Sequence, residues 1–330
     1  MAQGLTGRGL GEFGRIRQFF APLAGPGGLG LTDDAALLEC PPGHRLVITV
    51  DAMVAGVHYL PDDPPDLVAR KLLRVNLSDL AAMGARPRHY LLTTALPVAF
   101  GDDWVERFAS GLAADQREFG VALLGGDSVA TPGPATFSLT AIGEVVAGGE
   151  IRRAGAKPGD RVWVSGTIGD AYLGLAVLRG GHAGLDPAAR AMLIGRFQLP
   201  EPRTLLGPRL VGIAHAMCDV SDGLLADLGH ICEASGVGAT VSLPALPVSA
   251  AARQILAGDP GLAARLATGG DDYELLFAAP PAADEAIGRL SAELRLPIAT
   301  VGTIGPGDGV RLLDEAGREI RVDSTGWRHF

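Results

Sequence analysis

Residues 71–87, KLLRVNLSDLAAMGARP, constrain this chain more than any other stretch. Leu67 and Val68 precede them, and Leu72, Leu73, Val75, Leu77, Leu80, Ala82 and Met83 leave no broad polar face on a helix. A surface helix keeps such a face, so the pattern predicts a helix buried on nearly every side, stopped by Gly84 and Pro87. Asn76 and Asp79 lie three apart on that rod, hence on one face, where a carboxylate is costly to desolvate without a partner. Something must meet Asp79. The plainer reading, in which Ser78 and Asp79 cap a second helix or point at water, stays open while the stretch is taken alone.

Other aspartates keep similar company. They are Asp33 and Asp34 in LTDDAALL, Asp51 after LVITV, Asp127 in LLGGDS, Asp219 and Asp222 in CDVSDGLL, and Asp271 and Asp272 in TGGDDYELLF. Nearly all stand at the edge of an apolar run. Two carboxylates about 4 Å apart repel by roughly 4 kcal/mol at an effective dielectric near 20, so several converging carboxylates require cations. A divalent-metal and phosphate site answers that requirement.

With 330 residues, 47% of them hydrophobic, the chain can bury a large core, and its length suggests two domains. The net charge of -9 argues against a general nucleic-acid or anionic-membrane binder. Cys40, Cys218 and Cys232 are too few and too scattered for a disulfide framework or a zinc site, which points to a reducing, cytoplasmic setting. No apolar run reaches the length of a membrane span, and the first residues do not read as an export signal. Gly25, Gly27 and Gly30 match GxGxxG, but Pro26 sits inside and no strand–helix frame surrounds them, so a dinucleotide site is rejected.

Periodicity predicts a short helix over 15–20 and strands over 35–38 and 45–50, the second ending at Asp51. A strand over 89–96, a helix over 103–119, a short buried strand ahead of Gly125, Gly126 and Asp127, and a strand over 135–146 complete a first domain of residues 1–150. A second domain, 151–330, opens after RRAGAKPGD with a strand over 161–164. In CDVSDGLLADLGH, Ser221 reads as a helix N-cap, Asp222 as first-turn, and Leu224, Leu225, Leu228 and Ile231 as the buried stripe. A helix over 282–293 and strands over 299–304 and 310–313 follow. Trp327 and Phe330 are either anchors or a platform for a flat ligand. His58 taken alone reads as a half-buried imidazole, and Arg153 as an exposed linker residue.

The ordered set GEF, TDDAALL, VDAMVAGVHYL, KLLRVNLSDLAAMGARP, GGDS, RRAGAKPGD, DVSDGLLADLGH, GGDDYELLF and GWRHF resembles the thiamine-monophosphate kinase family across essentially the whole chain. That family belongs to the superfamily of aminoimidazole-ribonucleotide synthetase and selenophosphate synthetase. The resemblance implies a two-domain α/β (α+β) fold of the synthetase type, a homodimer joined through a shared β-barrel to which the first domain contributes, and ATP bound without a P-loop. It implies that Asp34, Thr49, Val50 (through its backbone carbonyl), Asp51, Asp79, Asp127, Asp219 and Asp222 hold several magnesium ions, with Asp127, Asp219 and Asp222 closest to the chemistry. By the same resemblance Gly126, Asp127, Arg153 and Ser221 contact ATP, and His58, Asp271 and Trp327 face thiamine monophosphate. The chain departs from the family pattern at Thr32, usually Gly, at Val50 and Ser128, both usually Thr, and at Asp271, usually Glu. The implied reaction is transfer of the γ-phosphoryl of ATP to thiamine monophosphate. The alternatives are another ATP-dependent reaction of the superfamily, such as aminoimidazole ribonucleotide synthesis, or a protein that binds ATP and metal without turnover. Selenophosphate synthesis lacks its reactive N-terminal cysteine here.

Overall fold

The computed structural model describes residues 10–327, so Phe330 lies outside the described residues. The chain divides into two compact units that interleave in sequence. One holds the chain through Pro42, Ile48–Asn76 and Pro87–Gly143, and the other holds Gly43–Val47, Leu77–Arg86 and the chain from Glu144 onward.

The first unit is built from α1 (Glu12–Arg15), β1 (His44–Val54), α2 (Pro65–Ala82), β2 (Arg86–Pro97), α3 (Asp102–Phe119), β3 (Ala122–Thr131) and β4 (Thr136–Val146), and β1 and α2 both run on into the second. Its strands form one sheet in the order β1-β4-β2-β3, with β2 and β3 parallel. From Tyr90 onward strand β2 alternates as a one-sided strand must: Tyr90, Leu92, Thr94 and Leu96 are buried while Leu91 and Thr93 face outward. Helix α3 has Asp102 and Asp103 in its first turn and ends on left-handed Gly120. A Cβ on its Gly111 would stand 2.3 Å from the Asp66 carbonyl of α2, so the backbones of the two helices approach at a glycine.

The organising helix is α2, and it is buried as expected: of residues 71–82, Asp79 alone is partly exposed. Its charged residues have gone inside with partners. Arg74 forks onto the fully buried Asp115, Nε to Oδ2 at 2.7 Å and Nη2 to Oδ1 at 3.0 Å, and Lys71 Nζ donates to the carbonyl of His58 at 3.0 Å. The stop is left-handed Gly84, whereas Pro87 already lies in β2.

The second unit is a seven-stranded mixed sheet ordered β11-β10-β7-β9-β5-β8-β6. Its strands are β5 (Arg161–Ser165), β6 (Ala216–Asp219), β7 (Gly238–Ser242), β8 (Leu275–Ala279), β9 (Ile298–Gly305), β10 (Val310–Leu313) and β11 (Glu319–Ile320). Its helices are α4 (Asp170–Leu178), α5 (Pro187–Gln198), α6 (Leu224–Ser235), α7 (Ala250–Gly258), the single turn α8 (Ala263–Leu266) and α9 (Asp284–Leu294). Both faces of the sheet are covered. Val162, Val164 and Leu276 join a core with Leu173, Leu224, Leu228 and Ile231, while the alternate residues Trp163, Leu275 and Phe277 join another with Ile287 and Leu290 of α9.

Local expectations fail where backbone pairing overrides composition. Residues 35–38 form no strand; the Leu37 amide instead donates to the Gly27 carbonyl at 2.8 Å, folding the segment onto the 26–31 turn. Strand β1 runs three residues past Asp51, which therefore sits within a strand and not at its exit. Strand β3 likewise continues through Gly125, Gly126 and Asp127, because β2 pairs with it throughout. A Cβ at Gly126 would fall 1.8 Å from the Leu92 carbonyl, so this glycine serves strand pairing. Helix α6 begins at Leu224 with Gly223 at its N-cap, leaving Ser221 and Asp222 in the turn ahead of it.

Candidate active site

In the first unit, a cavity of about 240 Å³ opens beside β2 and β3. Asp33, Asp34, Thr94, Gly126, Asp127 and Ser128 supply its polar lining. The ladder places Asp127 opposite Thr93 and Ser128 opposite Thr94, and the Thr94 hydroxyl donates to Ser128 Oγ at 3.0 Å. Asp127 is exposed, and its Oδ1 accepts the Ser128 amide at 2.8 Å. Asp34, Gly126 and Asp127 are thus brought to one cavity. Thr49, Val50 and Asp51 are not among its lining: they lie on β1, at the opposite edge of the sheet from β3. On that edge strand Thr49 and Asp51 turn inward while Val50 is 60% exposed. The Asp51 amide finds its acceptor in Oδ1 of the buried Asn76 at 3.1 Å, whose Nδ2 donates to the Leu72 carbonyl at 2.9 Å. His58 is half-buried, and its Nδ1 accepts the Val54 amide at 3.0 Å.

The second unit gathers its site residues on one turn. Asp219 closes β6, is buried, and accepts at Oδ2 from Ser78 Oγ at 2.7 Å. The turn that follows carries Ser221 and Asp222. The Ser221 carbonyl accepts the Asp271 amide at 2.8 Å, and the Asp222 carbonyl accepts the Trp327 amide at 3.0 Å. Backbones meet here without room for side chains. A Cβ at Gly270 would stand 2.4 Å from the Ser221 carbonyl, and one at Gly326 would stand 2.7 Å from that of Asp222. Asp271 itself adopts the left-handed region at φ 71°, and its Oδ1 accepts from Tyr273 Oη at 3.2 Å. The Trp327 ring is 59% exposed. Ser221, Asp222, Asp271 and Trp327 therefore form one constellation. Arg153 lies in the loop that approaches β6: the Arg152 carbonyl accepts the Met217 amide at 3.0 Å, and the Arg153 carbonyl accepts from Ser235 Oγ at 3.1 Å.

Two residues that the sequence pattern does not single out are central to this geometry. Asp227, on the first turn of α6, is buried and turns its Oδ2 back onto three successive amides, those of Ser221 at 3.0 Å and of Asp222 and Gly223 at 3.1 Å. Burial pushes its carboxyl up to about 7; the Asp222 charge adds to that, and the three amides oppose it. Asp222, Asp227 and His230 offer ligand atoms within 4.8 Å of one another. The other is Ser78, whose sequence context suggests only a cap. The available signal for Asp227 is an acid early in a helix whose N-cap, Gly223, carries no side chain.

The acids of GGDDYELLF separate sharply. Glu274 is fully buried and bound by Arg196 Nη2 at 2.9 Å, Arg203 Nε at 2.6 Å and Ser165 Oγ at 2.6 Å. Asp272, also buried, accepts the Gly169 amide at 2.7 Å, and burial pushes its carboxyl well above the usual range. These two support the fold, and only Asp271 is left at the constellation.

All the side-chain donors expected for metal are hard oxygens, and within the first unit two of those carboxylates border one cavity, which suits a small hard divalent cation. Residues 32–145 match the AIR synthase related protein N-terminal domain and residues 157–315 the corresponding C-terminal domain. With its two α/β units, the chain is an AIR synthase related protein carrying both domains. It is 44% identical to a thiamine-monophosphate kinase of Caulobacter vibrioides, over 96% of this chain and 90% of that one. The crystal structure of thiamine-monophosphate kinase from Stenotrophomonas maltophilia K279a superposes with a TM-score of 0.80 at 43% identity, covering 86% of this chain and 89% of that one. AaThiL complexed with AMPPCP and TMP gives a TM-score of 0.78 at 30% identity, covering 97% of each chain. The chain belongs to the thiamine-monophosphate kinase family.

Proposed function

We propose that this protein transfers the γ-phosphoryl of ATP to the phosphate of thiamine monophosphate, giving thiamine diphosphate and ADP. The observation that carries the reading is full-length kinship with the Caulobacter kinase, at 44% identity over 96% of the chain. The acceptor phosphate has a second pKa near 6, so it is already a nucleophile at neutral pH and needs no general base. What must be overcome is repulsion between two polyanions. Magnesium, when bound, would neutralise and orient both phosphate groups. Its ligands would be Asp34, Thr49, the Val50 carbonyl, Asp51, Asp79, Asp127, Asp219 and Asp222.

Gly126, Asp127, Arg153 and Ser221 are the residues we assign to ATP, the guanidinium supplying a fixed positive charge for phosphate oxygens. His58, Asp271 and Trp327 are assigned to thiamine monophosphate. The exposed indole of Trp327 offers a flat, electron-rich face to a thiazolium cation, and the Asp271 carboxylate offers a counter-charge. Asp271 is one methylene shorter than the usual glutamate and sits in the left-handed region at φ 71°. Transfer is direct and in line, without a phosphorylated enzyme. A net retention of configuration at a chiral γ-phosphorus would overturn that.

We further assign a homodimer in the cytoplasm that binds neither nucleic acid nor membrane. Support comes from the outer face of the four-stranded sheet, where Ile48, Val50, Leu91 and Val129 stand exposed and suit a second copy. None of the three cysteines forms a disulfide, the net charge is -9, and no helix among the described residues is long and apolar enough to cross a membrane.

The test is ADP release with ATP and magnesium in the presence of thiamine monophosphate, free thiamine or formylglycinamidine ribonucleotide. Turnover with thiamine monophosphate alone is expected. Turnover with the purine precursor instead would move the activity to aminoimidazole ribonucleotide synthesis, and none with any acceptor would leave a binding protein.

A further inference from the structure

Three successive amides around one oxygen, just ahead of a helix, make the kind of concave anion site that commonly receives a phosphate. Here that concavity is already filled from within, by Oδ2 of Asp227. A phosphate group cannot share it with a buried carboxylate. Oδ2 of Asp227 is given wholly to the three amides of the turn. Its role has to be sought in what the turn carries.

The turn has two sides. Its amides point at Asp227, and its carbonyls point away, that of Ser221 to the Asp271 amide and that of Asp222 to the Trp327 amide. Glycines at 223, 270 and 326 let the strands of backbone touch; a Cβ at Gly223 would stand 2.8 Å from the Thr268 carbonyl. A shift of the 221–223 peptides therefore moves Ser221, Asp222, Asp271 and Trp327 together. We propose that Asp227 is a positioning residue that holds the turn bearing Ser221 and Asp222 and, through that turn's carbonyls, sets the Asp271 and Trp327 loops, coupling nucleotide binding to acceptor binding. This rests on the assignment of ATP to Ser221 and thiamine monophosphate to Asp271 and Trp327.

The coupling has a signature that general destabilisation lacks. Asp227→Ala removes the acceptor, and the apparent KM values for ATP and for thiamine monophosphate should rise together, each on the order of tenfold, as supporting residues of this kind typically do. Asp227→Asn retains an acceptor oxygen of the same reach and should restore most of both KM values. Hydrogen exchange read by mass spectrometry on the full-length protein should show lost protection in peptides covering 221–223, 271 and 327 in the alanine variant only. Unchanged KM values and unchanged exchange at 271 and 327 in a folded Asp227→Ala protein would overturn the proposal. So would a rise confined to one substrate. The exchange pattern does not depend on turnover, so it tests the coupling even if the wild-type protein fails to phosphorylate thiamine monophosphate. If Asp227→Ala does not fold, Asp227→Ser, which keeps a shorter hydroxyl acceptor, is measured in its place against the same two outcomes.

Discussion

The two units present aspartates by opposite means. Asp127 sits on a parallel ladder, exposed, with its position fixed by the seven register pairs that follow the shift between Tyr90 and Leu91. Asp222 sits on a short irregular turn and owes its place to Asp227, while its neighbour Asp219 leaves a strand end buried against Ser78. The strand fixes its carboxylate through backbone pairing, which here needs a glycine at 126 for the approach of the Leu92 carbonyl; the turn is held by a dedicated side chain. The first kind of site depends on close backbone approach and the second on a single acceptor side chain.

The largest effect expected is on rate. Asp127→Asn and Asp219→Asn each remove a formal charge from a proposed metal ligand, and kcat should fall on the order of a thousandfold, about 4 kcal/mol of transition-state stabilisation. Stability should separate them. Asp127 is exposed, so its asparagine variant should melt with wild type, whereas Asp219 is buried beside a hydroxyl donor and its variant should unfold earlier. Steady-state kinetics and thermal melts of both proteins check this. Normal rates in both would remove the metal assignment, and identical melts would remove the contrast between the exposed Asp127 and the buried Asp219.

Next comes pH. The Asp227 carboxyl is pushed up to about 7 from a usual value of 3.8, chiefly by burial, so between those values the folded protein holds a proton that the unfolded chain has released. Its contribution is fully present below about pH 4 and declines as pH rises through 7. Asp272, pushed up by burial as well, acts in the same direction. Asp102, held low by the Leu10 amide, acts in the opposite direction, but only below its ordinary range. In chelator, the protein should therefore be more stable in urea at pH 5 than at pH 7.5, by up to a few kcal/mol, since each tenfold change in proton affinity is worth about 1.4 kcal/mol. Asp227→Asn should flatten part of that slope. A slope of opposite sign would show that the three amides outweigh burial.

The sequence carried the buried helix, the helix at α3, most strands and the aspartates, because these depend on periodicity and on residue type. It misplaced what depends on pairing. The run of glycines before Asp127 looks like a loop until the Leu92 carbonyl is seen to need Gly126. Asp51 looks like the end of a strand until β1 is seen to continue to Val54. In DDYE the three acids carry the same charge, yet Arg196 and Arg203 draw Glu274 into the core from 78 and 71 positions away. Asp227 lies in plain view in SDGLLADLGH, but only the backward turn of its side chain shows what it holds.

The smallest effect predicted concerns Ser78, which the sequence offered as a cap. On α2 it is fully buried, and its hydroxyl hydrogen goes to Asp219 Oδ2, 141 residues away. A carboxylate held through one oxygen has a fixed plane, which directs the lone pairs of the other. Supporting hydrogen bonds of this sort typically change metal affinity by about tenfold, close to 1.4 kcal/mol. Ser78→Ala should thus raise the magnesium concentration needed for half-maximal rate by about that factor and leave kcat at saturating magnesium nearly unchanged. The same variant leaves a buried acceptor without one donor, which should cost on the order of 1 kcal/mol of stability. The magnesium titration tells the two apart: a protein that is merely less stable keeps its half-saturation point below its melting range. A shifted half-saturation point in Ser78→Ala, with an unshifted one in a comparably destabilised Val75→Ala protein, would place the hydroxyl in the support of Asp219 and not simply in the packing of α2.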